Sequence, residues 1–295
     1  MTVYAYPRLS KTDLLAFRIG GAGLGNLLLT WARCRSASHK NGWQMIWPTW
    51  PSIKPKNLRV NPYDVRFYGR LFKAPEDVIA GVKKPLLLLR HRWRPETEAK
   101  SVTGKGLIQF FRMADFFEPF LQDRDYIQSE LIRMTRPEHL KGYHSGDEQQ
   151  YPIGIHIRLG DFVRFTSEQE IRGDFNTALP LDWYIGALAA LRKLHGADTP
   201  ARVFSDGNDD ELTEILRLPN VTRADYGSAI ADMLALSRSR ILVTSGSTFS
   251  MWASWLGQMP ALWYPDKKLQ DLNLSDPAHE IEWLPGQALS PTFNM

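Results

Sequence analysis

The chain has 295 residues, 43% hydrophobic and 23% charged, the balance of a folded protein with room for two domains of about 150 residues. A single cysteine, Cys34, excludes a disulfide framework and any multi-cysteine zinc site. With 36 Lys plus Arg against 32 Asp plus Glu, the net charge of +4 is too small and dispersed to signal nucleic acid. It suits a phosphorylated small molecule gripped by one or two arginines.

From the N-terminus, Leu14 to Ile19 reads as a strand, followed by the turn Gly20-Gly21-Ala22-Gly23-Leu24-Gly25-Asn26. Leu27 to Ser38 reads as a helix and Trp43 to Trp47 as a second strand. The longest aliphatic block, Leu86 to Leu89, falls far short of the roughly 18 residues of a membrane span. No basic stretch leads into a long apolar one at the N-terminus, so a cytoplasmic location is expected. Peripheral association with the inner face of the membrane stays open. The basic run Arg90-His91-Arg92-Trp93-Arg94 reads first as a solvated loop over a packed tryptophan, and second as a contact for phosphates or an anionic membrane. Phe116 to Met134 reads as helical.

Residues 140–151, polar and glycine-containing, are the expected linker. Beyond them strands are expected at Pro152 to Ile157, Ala201 to Phe204, Val221 to Ala224, Ile241 to Thr244 and finally Ala261 to Tyr264. Helices are expected at Leu181 to Leu194, Asp209 to Leu216, Ser228 to Ser237 and Phe249 to Leu256. This alternation predicts a doubly wound parallel α/β sheet, and one such unit in each half predicts a bilobed protein.

Three strand ends carry the candidate chemistry. His156-Ile157-Arg158-Leu159-Gly160-Asp161-Phe162 puts a histidine and an arginine at a strand's carboxyl end, where open α/β sheets bind ligands. Arg158 can fork onto a phosphate; an Arg158–Asp161 ion pair beside a core histidine is an equal alternative. Phe204-Ser205-Asp206-Gly207 brings a carboxylate to the same rim, for a purine edge or a ribose, or else to cap a helix near Asp209. Thr244-Ser245-Gly246-Ser247-Thr248-Phe249-Ser250 reads as an anion cradle at a helix start. A nucleophile elbow fails there for want of glycines at Ser245 and Phe249.

Other readings are weaker. The glycine turn lets backbone approach a ligand, but a dinucleotide fingerprint is broken at Asn26 and no acidic residue follows near Trp47. Asp123-Arg124-Asp125 formally matches a metal-binding Asp-x-Asp, yet its flanks read as a helix, which turns positions i and i+2 about 200° apart. No metal site is expected. His91, His139, His144, His195 and His279 show no ligand spacing.

The three rim elements together resemble the bacterial alpha-1,2-fucosyltransferases in order and spacing. His156 to Phe162 is similar to that family's His-x-Arg-Arg-Gly-Asp-Tyr, and Phe204-Ser205-Asp206 to its Phe-Ser-Asp. Ser245 to Leu256 is similar to its long Ser-Asn-Ser-(Ser/Thr)-Phe-Ser-Trp-Trp-Ala-Ala-Trp-Leu. Gly23-Leu24-Gly25-Asn26 resembles its opening Gly-Leu-Gly-Asn-Gln. Leu159 stands in place of the second arginine and Leu27 in place of the glutamine.

The resemblance implies a GT-B α/β fold: Rossmann-like domains at 1–148 (acceptor) and 149–295 (donor) facing across a cleft, the last helix packing back on the first. It implies an inverting transfer of L-fucose from GDP-fucose to a galactose 2-hydroxyl of a glycan, without metal, other cofactor or nucleic acid. Arg158 is then expected on the β-phosphate, His156 and Asp206 on the nucleoside, and Ser247 and Thr248 on the diphosphate. Asn26 is expected near the fucose, with Gly23, Gly25, Ser205, Ser245 and Phe249 completing the donor contacts. The acceptor hydroxyl must lose a proton, for which Asp161 is the first candidate and Glu168 the second. Transfer from another GDP-hexose, or nucleotide or glycan binding without turnover, are the alternatives.

Overall fold

A computed structural model of the chain describes residues 2–53, 67–101, 104–144, 152–165, 168–174 and 176–293. The chain divides into two compact units, Met1–His139 and Leu140–Met295. The expected boundary at 148/149 lies outside the described residues.

In the first unit, β1 (Val3–Arg8) is followed by β2 (Thr12–Asp13), β3 (Arg18–Ile19), α1 (Leu24–Asn41), β4 (Gln44–Met45) and β5 (Ser52–Ile53). Then come α2 (Lys83–Arg90), β6 (Trp93–Pro95), β7 (Gly106–Phe111) and α3 (Arg124–Met134). A parallel sheet has the order β4-β1-β7-β6. Helix α1 packs on β1 and β7, and its Leu27, Leu28, Trp31 and Ala32 are buried.

Two sequence expectations need correction here. Of the strand expected at Leu14 to Ile19 only Arg18–Ile19 forms, as β3; Leu14 to Phe17 is the turn that joins it to its antiparallel partner β2, and β1 is the strand of the main sheet that precedes α1. The apolar run misleads because Leu14 and Phe17 lie exposed. The helix expected from Phe116 starts as a 3-10 turn at Glu118–Asp123 and becomes α-helical only at α3.

The second unit runs α4 (Lys141–His144), β8 (Ile153–Ile157), β9 (Val163–Arg164), α5 (Glu168–Gly173), β10 (Thr177–Ala178), α6 (Leu181–His195) and β11 (Ala201–Ser205). It continues with α7 (Thr213–Leu216), β12 (Val221–Arg223), α8 (Ala229–Leu236), β13 (Ile241–Val243), α9 (Thr248–Gly257), β14 (Ala261–Trp263) and β15 (Glu280–Glu282). Its sheet has the order β12-β11-β8-β13-β14-β15, parallel throughout. Every residue of β8 is buried, which fits the isoleucine-rich sequence of a central parallel strand, with His156 its one polar side chain.

The strand at Ala261 is not the last, because β15 adds an edge. Its Glu280 is only 2% exposed, a cost offset by hydrogen bonds from Ser254 Oγ (2.8 Å) and the Leu272 and Asn273 amides (2.5 and 2.9 Å). The described chain ends in a 3-10 turn, Pro291–Phe293, whose Phe293 is buried in this unit's core.

Candidate active site

Strands β11, β8 and β13 are neighbours and parallel, so their carboxyl ends open on one edge of the sheet. Register puts Phe204 beside His156, Ser205 beside Ile157, and Val243 beside Ile155. Arg158, Asp206 and the loop from Thr244 to Ser247 therefore leave adjacent strands together, at the position where such sheets take ligands.

Arg158 is held from two sides. Its Nη1 donates to Asp206 Oδ2 and its Nη2 to Asp161 Oδ1, while the guanidinium carbon lies 5.2 Å from the centre of the Phe162 ring. Asp206 also accepts the Leu159 amide at 2.8 Å, closing a tight loop over Gly160, where any Cβ would overlap the carboxylate. The Arg158–Asp161 pair weighed from the sequence is present. The helix-capping alternative for Asp206 is not, because Asn208 and Glu211 cap one another's amides at 2.9 Å.

The serine loop is built around His156. The imidazole is 5% exposed, stacks on Phe249 at 4.5 Å, and places Nδ1 within 2.9 Å of Ser245 Oγ and 2.8 Å of Ser250 Oγ. Burial, aided by Arg158, pushes its pKa down to about 3, so the ring is neutral near pH 7. Ser250 Oγ accepts the Ser245 amide at 3.0 Å, and Ser247 caps α9 through the Ser250 amide at 3.4 Å. Gly246 between them has φ +67°, and a Cβ there would press on Lys267. The first-turn amides of α9, beginning at Thr248, form the positive end of the helix.

Several supporting residues carry no motif in the sequence. Lys267 is buried under Gly246, and its Nζ donates to the Asp174 carbonyl. Arg223 donates to the Gly207 carbonyl at 2.6 Å and holds the turn after Asp206, where Ser205 Oγ accepts the Gly207 amide at 3.0 Å. Asp232 in α8 accepts the Tyr226 amide at 2.8 Å, and burial raises its carboxyl to about 6. Lys267 and Arg223 have partners 93 and 16 positions away, which hides them from motif reading.

Gly23, Gly25 and Asn26 lie in the first unit, at the start of α1. Asn26 Oδ1 is buried with no partner among the described residues. Glu168 opens α5. Asp123 is bound by Ser36 Oγ at 2.5 Å and Lys40 Nζ at 2.6 Å, and Asp125 pairs with Arg124 at 2.6 Å. Their carboxylates are thus spent on separate partners.

Residues 92–284 match the model of glycosyl transferase family 11. The chain belongs to that family. The O-antigen biosynthesis glycosyltransferase WbnK of Escherichia coli is 26% identical over 112 residues, 37% of this chain and 35% of that protein, so the chain spans about a third of this relative. The fucosyltransferase NodZ from Bradyrhizobium superposes with a TM-score of 0.53 at 15% identity, over 90% of this chain and 95% of NodZ. A NodZ alpha-1,6-fucosyltransferase co-crystallized with GDP gives 0.51 at 16% identity, over 90% and 96%. At such identity the likeness establishes the fold, the two-unit α/β architecture of the GT-B type. The family 11 segment contains Arg158, Asp206 and the serine loop, and Asn26 precedes it.

Proposed function

We propose that this family 11 glycosyltransferase moves L-fucose, with inversion, from GDP-fucose to a glycan hydroxyl, the 2-hydroxyl of galactose being the first acceptor to test. The carrying observation is Arg158, fixed at the carboxyl end of β8, whose neighbour β13 runs into the capped start of α9. A forked cation next to helix amides and serine hydroxyls is what a departing diphosphate needs. The NodZ alpha-1,6-fucosyltransferase structures co-crystallized with GDP and soaked with GDP-fucose support the same donor.

In the proposed step the acceptor oxygen attacks the anomeric carbon from the face opposite the diphosphate. The bond from that carbon to the β-phosphate oxygen breaks, and the diphosphate keeps the electron pair. Arg158 donates to the β-phosphate, while Ser247, Thr248 and the α9 amides hold the remaining charge without a metal. A phosphate that captures Arg158 draws it from Asp161 and Asp206. Asp161, 56% exposed at its side chain, then becomes available to take the acceptor's proton, with Glu168 as second candidate. Asp206 is assigned to the guanine N–H donors, and Asn26 to the sugar. His156, neutral and tied to two hydroxyls, positions the serine loop and borders the nucleoside.

Titration with GDP, UDP and ADP tests the donor class. Tight, selective GDP binding that Arg158→Ala weakens supports the reading. Equal affinity for the three nucleotides contradicts it.

A further inference from the structure

Helix α2 is inverted with respect to hydropathy. Its inward face carries Lys84, 6% exposed, whose Nζ donates to Thr49 Oγ1 at 2.6 Å and lies 5.4 Å from the centre of the Tyr6 ring. Leu88 packs beside it with Tyr6, Ile46 and Leu107, and its carbonyl accepts Trp93 Nε1 at 2.7 Å. That face is pinned, so the opposite one is set. Val82, Leu86 and Leu89, spaced i, i+4, i+7 on one stripe, are 81%, 66% and 79% exposed, the highest values among the described large hydrophobic residues.

Charge around this stripe has one sign. Lys83 and Arg90 lie about 80–100° around the helix from Val82, on one flank. Arg92 is exposed and Arg94 half-buried just beyond, and residues 78–95 contain no Asp or Glu. The acids bordering that stretch are committed elsewhere: Asp77 to Arg35 and Arg133, Glu96 to Arg33.

We propose that this face of α2 docks the protein on an anionic lipid bilayer, with Val82, Leu86 and Leu89 entering the headgroup–acyl boundary and Lys83, Arg90 and Arg92 lying against lipid phosphates. A bilayer supplies an apolar layer bordered by negative charge, matching a short aliphatic stripe flanked by cations. A protein partner would have to offer an acidic-rimmed apolar groove shaped to the same three side chains. The docking is independent of the donor chemistry, and either can fail alone.

The test is flotation of the full chain with vesicles of phosphatidylcholine alone and of equal parts phosphatidylcholine and phosphatidylglycerol. Binding to the anionic vesicles should be at least about tenfold stronger and should weaken as salt shortens the screening length. Leu86→Ser/Leu89→Ser should lose about tenfold on anionic vesicles with GDP affinity and melting temperature unchanged, since both side chains face solvent. Lys83→Gln/Arg90→Gln should lose the anionic preference. No flotation with anionic vesicles, or wild-type flotation by the double serine variant, overturns the proposal. So does a dimer in light scattering that the serine variant dissolves, which would make the face an interface between two copies.

Discussion

Arg158 and Asp206, 48 positions apart in sequence, meet as an ion pair because β8 and β11 are adjacent parallel strands ending at the same level. Without donor, the arginine is satisfied by carboxylates. In the proposed donor complex the diphosphate would compete with these carboxylates for the guanidinium, which the pair holds in place.

Arg158→Ala should reduce transfer by about 10²–10³-fold, the cost of roughly 3–4 kcal/mol for losing a preorganised transition-state donor. Its melting temperature should change little, since partly exposed ion pairs contribute about 0–1 kcal/mol. Arg158→Lys should recover little activity, because an ammonium cannot form the fork. Steady-state kinetics and thermal unfolding check this, and wild-type-like turnover in Ala removes Arg158 from the mechanism.

Asp206→Asn keeps the side-chain shape but loses an acceptor for guanine. GDP should bind at least about tenfold more weakly, as one unpaired buried donor costs about 1–3 kcal/mol. UDP affinity should move far less. If both nucleotides weaken equally in calorimetry, Asp206 only holds Arg158.

Gly246→Ala places a side chain where φ is +67° and the Lys267 stem blocks the space. A loss of about 1–3 kcal/mol in denaturant unfolding is expected, together with weaker GDP binding as the serine loop shifts. Unchanged stability and affinity would show that the loop tolerates remodelling.

Asp232 gives a pH dependence. Its carboxyl stands at about 6 in the folded chain against an ordinary 3.8, because burial disfavours the anion. The folded state holds the extra proton, so this contribution is complete below about pH 4 and lost as pH rises through about 6. Asp232→Asn should therefore raise stability over wild type by roughly 1–3 kcal/mol at pH 7.5 and much less at pH 4. An equal effect at both values would contradict a raised pKa.

Much of the second unit was legible in the sequence, because parallel strands such as Ile153–Ile157 and Ala201–Ser205 are largely apolar and end in polar turns. The rim motifs sit at those ends, so their grouping followed from the alternation alone. Apolar runs outside a core misled: Leu14 to Ile19 looks like one strand, but Leu14 to Phe17 is a turn with exposed Leu14 and Phe17, and only Arg18–Ile19 pairs. Strand β15 was hidden because its buried Glu280 depends on donors from Ser254, Leu272 and Asn273, which sequence pattern does not reveal. Lys84 and Lys267 were invisible for the same reason, each a buried cation whose partners come from other elements.

The most direct measurement of the central claim follows GDP and UDP release from a panel of nucleotide sugars, with a galactoside acceptor and excess EDTA, for wild type and Arg158→Ala. GDP-fucose should be turned over by wild type in the presence of EDTA, with UDP-sugars left intact and the variant at least a hundredfold slower, on the order expected for a lost oxyanion-type donor. Turnover of a UDP-sugar in place of GDP-fucose, or activity that EDTA abolishes and Mn²⁺ restores, would contradict a fucosyl transfer driven by Arg158 and the start of α9.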